Sequence, residues 1–216
     1  MRRAQDDRAR ALALCPSLQR IAGELETYET LLRRWQETIN LVAAPTLEQV
    51  WTRHFADSAQ VHEAFPAIST WADLGSGAGF PGLVLALLLK GRPGAMVHLI
   101  ESDSRKAAFL RAVSRETEAP AMVRAGRIET EAPLLAGCVE GVCARALAPL
   151  PKLIGWSREL LSKNAVGVFL KGKDWRAELT AAAAAGSFRF EAIPSRTNPD
   201  SRLIVVAKPP ASEAIQ

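Results

Sequence analysis

Between residues 70 and 89 a short apolar run, Thr70-Trp71-Ala72-Asp73-Leu74, gives way to Gly75-Ser76-Gly77-Ala78-Gly79-Phe80-Pro81-Gly82. An unbroken aliphatic series, Leu83-Val84-Leu85-Ala86-Leu87-Leu88-Leu89, follows. The order predicts strand, tight loop, helix. Glycines allow positive φ and close approach of a ligand to the backbone, and a helix start offers unpaired N–H groups to an anion. The dinucleotide fingerprint G-x-G-x-x-G is not met, because Phe80 stands where its third glycine belongs. The spacing is G-x-G-x-G, which argues against a nicotinamide dehydrogenase.

Two acidic residues frame this loop. Asp73 ends the preceding strand, and Glu101 ends the next apolar run, Val97-His98-Leu99-Ile100-Glu101. One carboxylate near a charged amine and one near ribose hydroxyls suit a nucleoside with an amino-acid tail, and S-adenosylmethionine has both features. For an isolated G-x-G the competing reading is a turn that only packs strand against helix.

From residue 70 onward strand and helix patterns alternate. Strands are expected at 70–74, 97–101, 121–125, 139–144, 165–170, 188–193 and 202–207, with helices after Phe80, after Ser104, and over 149–162 and 175–185. Alternation of this kind implies a mostly parallel sheet with helices on both faces. No helix separates the last two strands, so they should form an antiparallel terminal hairpin. Seven strands with that hairpin point to the methyltransferase variant of the Rossmann-like α/β fold.

Before the alternation, Leu18, Ile21, Leu25, Tyr28, Leu31, Leu32 and Trp35 recur at helical spacing. A second helix is expected from Thr46, whose spacing to Gln49 matches a capping box, through Val50, Trp51, Phe55 and Val61. Residues 1–65 thus read as a helical extension and 66–216 as the methyltransferase domain.

The remaining composition narrows the setting. Twenty-seven Lys and Arg against 23 Asp and Glu give a formal charge of +4, compatible with a polyanionic partner. Cys15, Cys138 and Cys143 form no C-x-x-C pair and are odd in number, which supports neither a disulfide framework nor a metal site. A reduced, cytoplasmic setting is expected. Charges near the N-terminus and the shortness of the greasiest run argue against a signal peptide or a membrane span.

Several polar residues invite a functional reading. Arg105 and Lys106 open a helix where the macrodipole disfavours cations, and with Arg111 and Arg115 they could face a phosphate backbone; a solvated face is the alternative. His54, three residues before Asp57, could be oriented by that carboxylate or contact RNA. Arg145 and Lys171 follow neighbouring strands at the sheet edge where open α/β sheets bind ligands, and together they would make the cleft mouth positive.

Trp35…Ile39-Asn40-Leu41, Arg53-His54…Asp57-Ser58, the loop from Asp73 to Gly82, Glu101…Arg105-Lys106…Phe109-Leu110-Arg111, Arg127-Ile128-Glu129, Arg145-Ala146 and Leu170-Lys171-Gly172 complete a pattern. The chain, over residues 18–208, resembles the RsmG (GidB) family of bacterial 16S rRNA guanine-N7 methyltransferases. The resemblance implies a class I methyltransferase fold, S-adenosylmethionine as donor (S-adenosylhomocysteine as product), and as target one guanine in the decoding-region stem-loop of 16S rRNA or the 30S subunit. It implies donor contacts at Gly75, Phe80, Ile128, Glu129 and Arg145, to which the loop reading adds Asp73, Gly77, Gly79 and Glu101. RNA contacts are expected at Asn40, His54, Arg105, Lys106, Arg111 and Lys171, with Arg145 and Lys171 positioning the base. A monomer without a protein partner is expected. Gln36, Glu140 and Ala144 depart from the family's usual Asn, Asp and Ser.

The chemistry is consistent with that likeness. Guanine N7 carries a free lone pair and needs no base, and no acid–base dyad is evident. Exocyclic amine methylation would call for an Asn/Asp-Pro-Pro-aromatic segment where Ala144-Arg145-Ala146-Leu147 stands. C5-pyrimidine chemistry would need a positioned cysteine, and Cys143 lies inside a strand. A small-molecule methyltransferase and a non-catalytic rRNA-binding or ribosome-assembly module on the same fold remain the alternatives.

Overall fold

The computed structural model describes residues 2–184, 186 and 188–209. Seven strands form one sheet: β1 (Thr70–Leu74), β2 (Met96–Glu101), β3 (Ala121–Ala125), β4 (Gly141–Arg145), β5 (Val166–Lys171), β6 (Arg189–Pro194) and β7 (Arg202–Ala207). Their spatial order is β3-β2-β1-β4-β5-β7-β6. Strands β1 to β5 pair in parallel, while β7 runs antiparallel to both β5 and β6, as the absence of a helix between the last two strands requires. The chain leaves β1 toward β2 and β3, then returns to the other side of β1 at β4. That reversal opens a crevice above the C-terminal ends of β1 and β4.

Eight α-helices are described: α1 (Arg2–Leu14), α2 (Ala22–Gln36), α3 (Asp57–Ala64), α4 (Gly82–Leu89), α5 (Ser104–Thr117), α6 (Ile128–Glu131), α7 (Leu150–Ser162) and α8 (Trp175–Ala183). The aliphatic run of α4 has no polar face, and every one of its residues is buried. A helix apolar all round must be covered on all sides. The sheet covers one side; α3, α5 and the turn Pro16–Ile21 cover the others. One apolar core therefore joins Leu18, Leu25, Tyr28 and Phe55 of the N-terminal helices to Leu83, Val97 and Phe109. A second core lies on the other sheet face, where α7 and α8 bury Leu153, Leu160, Leu161 and Ala182 against Phe169 and Ile204.

The N-terminal segment departs from expectation in detail. The expected helix from Leu18 begins as a 3-10 turn, Pro16–Ile21, and becomes α-helical only at Ala22, with α1 ahead of it. The expected capping box at Thr46 does not form. Thr46 lies within the 3-10 turn Ala44–Gln49 opened by Pro45, and its hydroxyl donates to the Ala43 carbonyl. A π-helical turn, Trp51–Ala56, then leads into α3. Its wider winding puts Trp51, Thr52, His54, Phe55 and Ala56 inside together. On the other side of the sheet the expected helix end at Ala185 lies outside the described residues. No helix of the described residues is long and apolar enough to cross a membrane.

Candidate active site

The glycine loop connects β1 to α4 with Gly75, Gly77 and Gly79 all at positive φ (63°, 57° and 90°). Its backbone is tied down from two sides. Ser76 N–H donates to the Ile100 carbonyl at 2.9 Å, and Gly77 N–H to Glu101 Oε2 at 2.8 Å. Glu101 Oε1 accepts from Asp103 N–H at 2.8 Å, so this carboxylate joins the loop to the start of α5. From the N-terminal side the Tyr28 hydroxyl donates to the Ala78 carbonyl, and its ring lies parallel to Phe80 at 5.3 Å.

Asp73 is fully buried beneath the loop rather than in the cleft. Its Oδ2 accepts from Gly82 N–H at 3.2 Å, and the Cys143 thiol approaches Oδ1 at 3.6 Å. Burial pushes its carboxyl up to about 7, and bonds from neighbours offset part of that rise. Gly79 also lies below the cleft, packed against Tyr28 and Leu83.

Above the strand ends lie two adjoining chambers. The first, of about 390 Å³, is walled by Gly75, Gly77, Phe80, Ile100, Glu101, Lys106, Ile128, Glu129, Leu147 and Trp156. A Cβ on Gly75 would sit 2.6 Å from Leu147 Cδ1, across the mouth of this cradle. The Trp156 indole donates to Glu129 Oε1 at 2.9 Å. Own-backbone hydrogen bonding holds the Glu129 carboxyl below its usual range, with a smaller contribution from Trp156. Backbone bared by glycines, a carboxylate at the end of β2 and the apolar walls Ile100, Ile128 and Leu147 fit a nucleoside bearing an amino-acid tail.

The second chamber, of about 450 Å³, is walled by Thr46, Arg53, His54, Asp57, Lys171, Asp174, Glu178, Thr197, Asn198 and Arg202. Leu41, Val42, Arg145 and Ala146 line both chambers and so form the frame of a window between them.

Arg145 occupies that frame in a fixed posture. Its Nη1 donates to the Arg53 carbonyl at 2.8 Å and to Asp57 Oδ2 at 3.2 Å, and its Nη2 meets His54 Nδ1 at 2.7 Å. The guanidinium carbon lies 5.0 Å from the centre of the Phe80 ring, against which His54 stacks at 4.8 Å. Burial, reinforced by Arg145 and Arg53, lowers the His54 imidazole to about 3. The ring is therefore neutral, accepting at Nδ1 and donating from Nε2 to Thr46 Oγ1 at 2.8 Å.

These placements correct several expectations. His54 is largely buried, lining the second chamber while it holds Arg145, and Arg145 rather than His54 meets the Asp57 carboxylate. The cleft mouth does not owe a positive charge to Arg145 and Lys171, since Asp57 pairs with the first and Glu178 holds the second at 2.6 Å. The cations opening α5 have a local reason: Asp103 caps that helix, accepting from Arg105 N–H and Lys106 N–H, and so places an anion at the same end. Lys106 lines the first chamber, while Arg105, Arg111 and Asn40 are exposed and line neither. The sequence reading missed Trp156, Thr197 and the Leu41–Val42 lip. Leu41 closes the Ile39-Asn40-Leu41 stretch of the family resemblance, and Trp156 is a large aromatic on an amphipathic helix.

The family model described as rRNA small subunit methyltransferase G matches residues 21–200. The chain belongs to the rRNA small subunit methyltransferase G family. A Methylobacterium nodulans protein named ribosomal RNA small subunit methyltransferase G is 45% identical over 202 residues, covering 93% of this chain and 95% of the relative. A protein of that name from Bradyrhizobium sp. (strain ORS 278) is 46% identical over 174 residues, covering 81% and 78%. Among solved structures, an O-methyltransferase from Bacillus cereus in complex with SAH superposes with a TM-score of 0.58 at 13% identity, covering 86% of this chain and 91% of that one. A Klebsiella pneumoniae putative O-methyltransferase gives 0.58 at 11%, covering 86% and 90%. The family member described here thus has the class I methyltransferase fold, with S-adenosylmethionine as its cofactor.

Proposed function

We propose that this chain transfers a methyl group from S-adenosylmethionine to N7 of a guanine in the decoding-region stem-loop of 16S rRNA. The observation that carries this reading is the pair of chambers meeting at one window, the first suited to the donor and the second wide enough for a purine. Gly75, Gly77, Glu101, Ile128 and Glu129 would hold the donor, which when bound supplies an electrophilic methyl group.

The protein's own contribution is placement. In-line transfer needs the attacking and accepting atoms about 3–3.5 Å apart and aligned, a geometry worth many orders of magnitude in rate. No base is required for N7, and the carboxylate and imidazole nearest the window are committed elsewhere: Asp57 to Arg145 and Thr197, His54 to Arg145 and Thr46. Arg145 still has its Nε–H and one Nη2–H to offer, since three of the five guanidinium N–H groups are engaged. One of them reaching guanine O6 would leave N7 free to attack. The second chamber sets charged and hydroxyl side chains beside Leu41, Val42, Leu170 and Leu203, a lining that suits a nucleobase with its polar edges and apolar faces.

The protein acts as a monomer in the cytoplasm on this reading. Incubation with labelled S-adenosylmethionine and 30S subunits, naked 16S rRNA or a metabolite pool tests it. Label on N7 of one rRNA guanine is expected; label only on a metabolite, or none, overturns it.

A further inference from the structure

Besides the Arg53 carbonyl, Arg145 is held by two side chains that the transfer reaction does not consume. Asp57 reaches it from the first turn of α3, and His54 from the π-helical turn just before. Asp57 divides its oxygens: Oδ2 accepts from Arg145, while Oδ1 accepts from the Thr197 hydroxyl at 2.7 Å and from Gln60 Nε2 at 3.3 Å. Gln60 Oε1 in turn accepts from Arg196 N–H at 2.6 Å. The loop between β6 and β7, which walls the second chamber, is therefore fastened to the same carboxylate that orients the guanidinium in the window.

His54 completes the clamp in a specific protonation state. Its Nδ1 lone pair faces an Arg145 N–H, its Nε2–H is taken by Thr46, and its ring rests on Phe80. A guanidinium cannot act as an acceptor, so a second proton on this imidazole would turn an attractive contact into a cation–cation clash.

We propose that Asp57 and neutral His54 are positioning residues, whose joint acceptance from Arg145 fixes the guanidinium across the window and leaves its Nε–H and one Nη2–H aimed at the substrate. This rests on the methyl-transfer reading. It assigns the clamp's effect to acceptor atoms rather than to packing, and that distinction is measurable. His54→Asn places an amide oxygen where Nδ1 stood but loses the stack on Phe80. His54→Phe keeps the stack but presents carbon to the Arg145 N–H, leaving a part-buried donor unsatisfied.

The test measures kcat and KM on 30S subunits for wild type, His54→Asn, His54→Phe, Asp57→Asn and Asp57→Glu, with S-adenosylhomocysteine affinity by calorimetry and thermal midpoints for all five. The acceptor role predicts that His54→Phe loses about tenfold or more in kcat, while His54→Asn stays within about threefold of wild type. Asp57→Asn should also fall about tenfold and Asp57→Glu regain part of that loss, with S-adenosylhomocysteine affinity and KM moving less than about threefold. If His54→Phe equals or exceeds His54→Asn, or the losses merely follow the thermal midpoints, the clamp is packing and the proposal is overturned. Should the His54 variants fail to fold, the Asp57 pair decides: unchanged kcat in Asp57→Asn overturns it. A wild type inactive on 30S subunits and rRNA sinks the function reading instead, a different result from active wild type with insensitive variants.

Discussion

Replacing Asp73 by asparagine removes a buried charge while keeping an oxygen for the Gly82 N–H. In the folded chain this carboxyl is raised from 3.8 to about 7 by burial. A raised carboxyl binds its proton more tightly in the native state than in the unfolded one. The native state is thus favoured while Asp73 is protonated, and stability drains away as pH climbs from the unfolded value toward the folded one. At about 1.4 kcal/mol per pKa unit, the whole window spans about 4 kcal/mol. Between about pH 5 and pH 8 the wild type should lose about 3 kcal/mol through this group, and the asparagine variant none of it. Urea unfolding of both proteins at the two pH values isolates the effect, because every other titration is shared. The variant's advantage should widen at the higher pH. An unchanged difference between the two conditions would refute the reasoning, and would mean that Asp73 is ionised without penalty.

Gly75→Ala should cost about 1 kcal/mol of stability from its positive φ, and should drive Leu147 into the first chamber, weakening S-adenosylhomocysteine binding about tenfold or more by calorimetry. Glu129→Ala frees the Trp156 indole and should also lower that affinity, with little change in the urea midpoint because the residue is exposed. Lys171→Met leaves the Glu178 carboxylate without its cation beside Leu150 N–H and should destabilise by roughly 2 kcal/mol, read from the same urea curves. An unaffected midpoint would show that the pair is compensated by water.

Strands were the most legible part of the chain. The expectations at 70–74, 121–125 and 202–207 match β1, β3 and β7 at both ends, and the others shift by one or two residues. Short β-branched runs bounded by glycine, proline or acidic residues carry their own limits. Part of the first chamber was legible for the same reason, since Gly75, Gly77 and Glu101 sit at strand ends that a parallel sheet brings to one edge, whereas Phe80, Ile128 and Glu129, which also line it, were expected from the family resemblance. The contacts that shape the second chamber were not legible. Asp57, Arg145 and Thr197 meet only because α3, β4 and the β6–β7 loop converge, and no local pattern announces a contact across 88 or 140 residues of sequence. His54 was visible, but a helical repeat could not reveal the π-helical winding that turns it inward beside Phe80.

The complete burial of α4 bears on how the chain comes to be made. A segment with no polar face is an aggregation hazard while it emerges into water, and synthesis proceeds from the N-terminus. The turn Pro16–Ile21 and α3, two of the surfaces that finally enclose α4, precede it in the chain. Each can be soluble before its partner exists, carrying charge at Arg20, Asp57 and Glu63. The greasiest helix is thus translated into the presence of its own shelter, an ordering that a C-terminal placement of the same elements would forfeit.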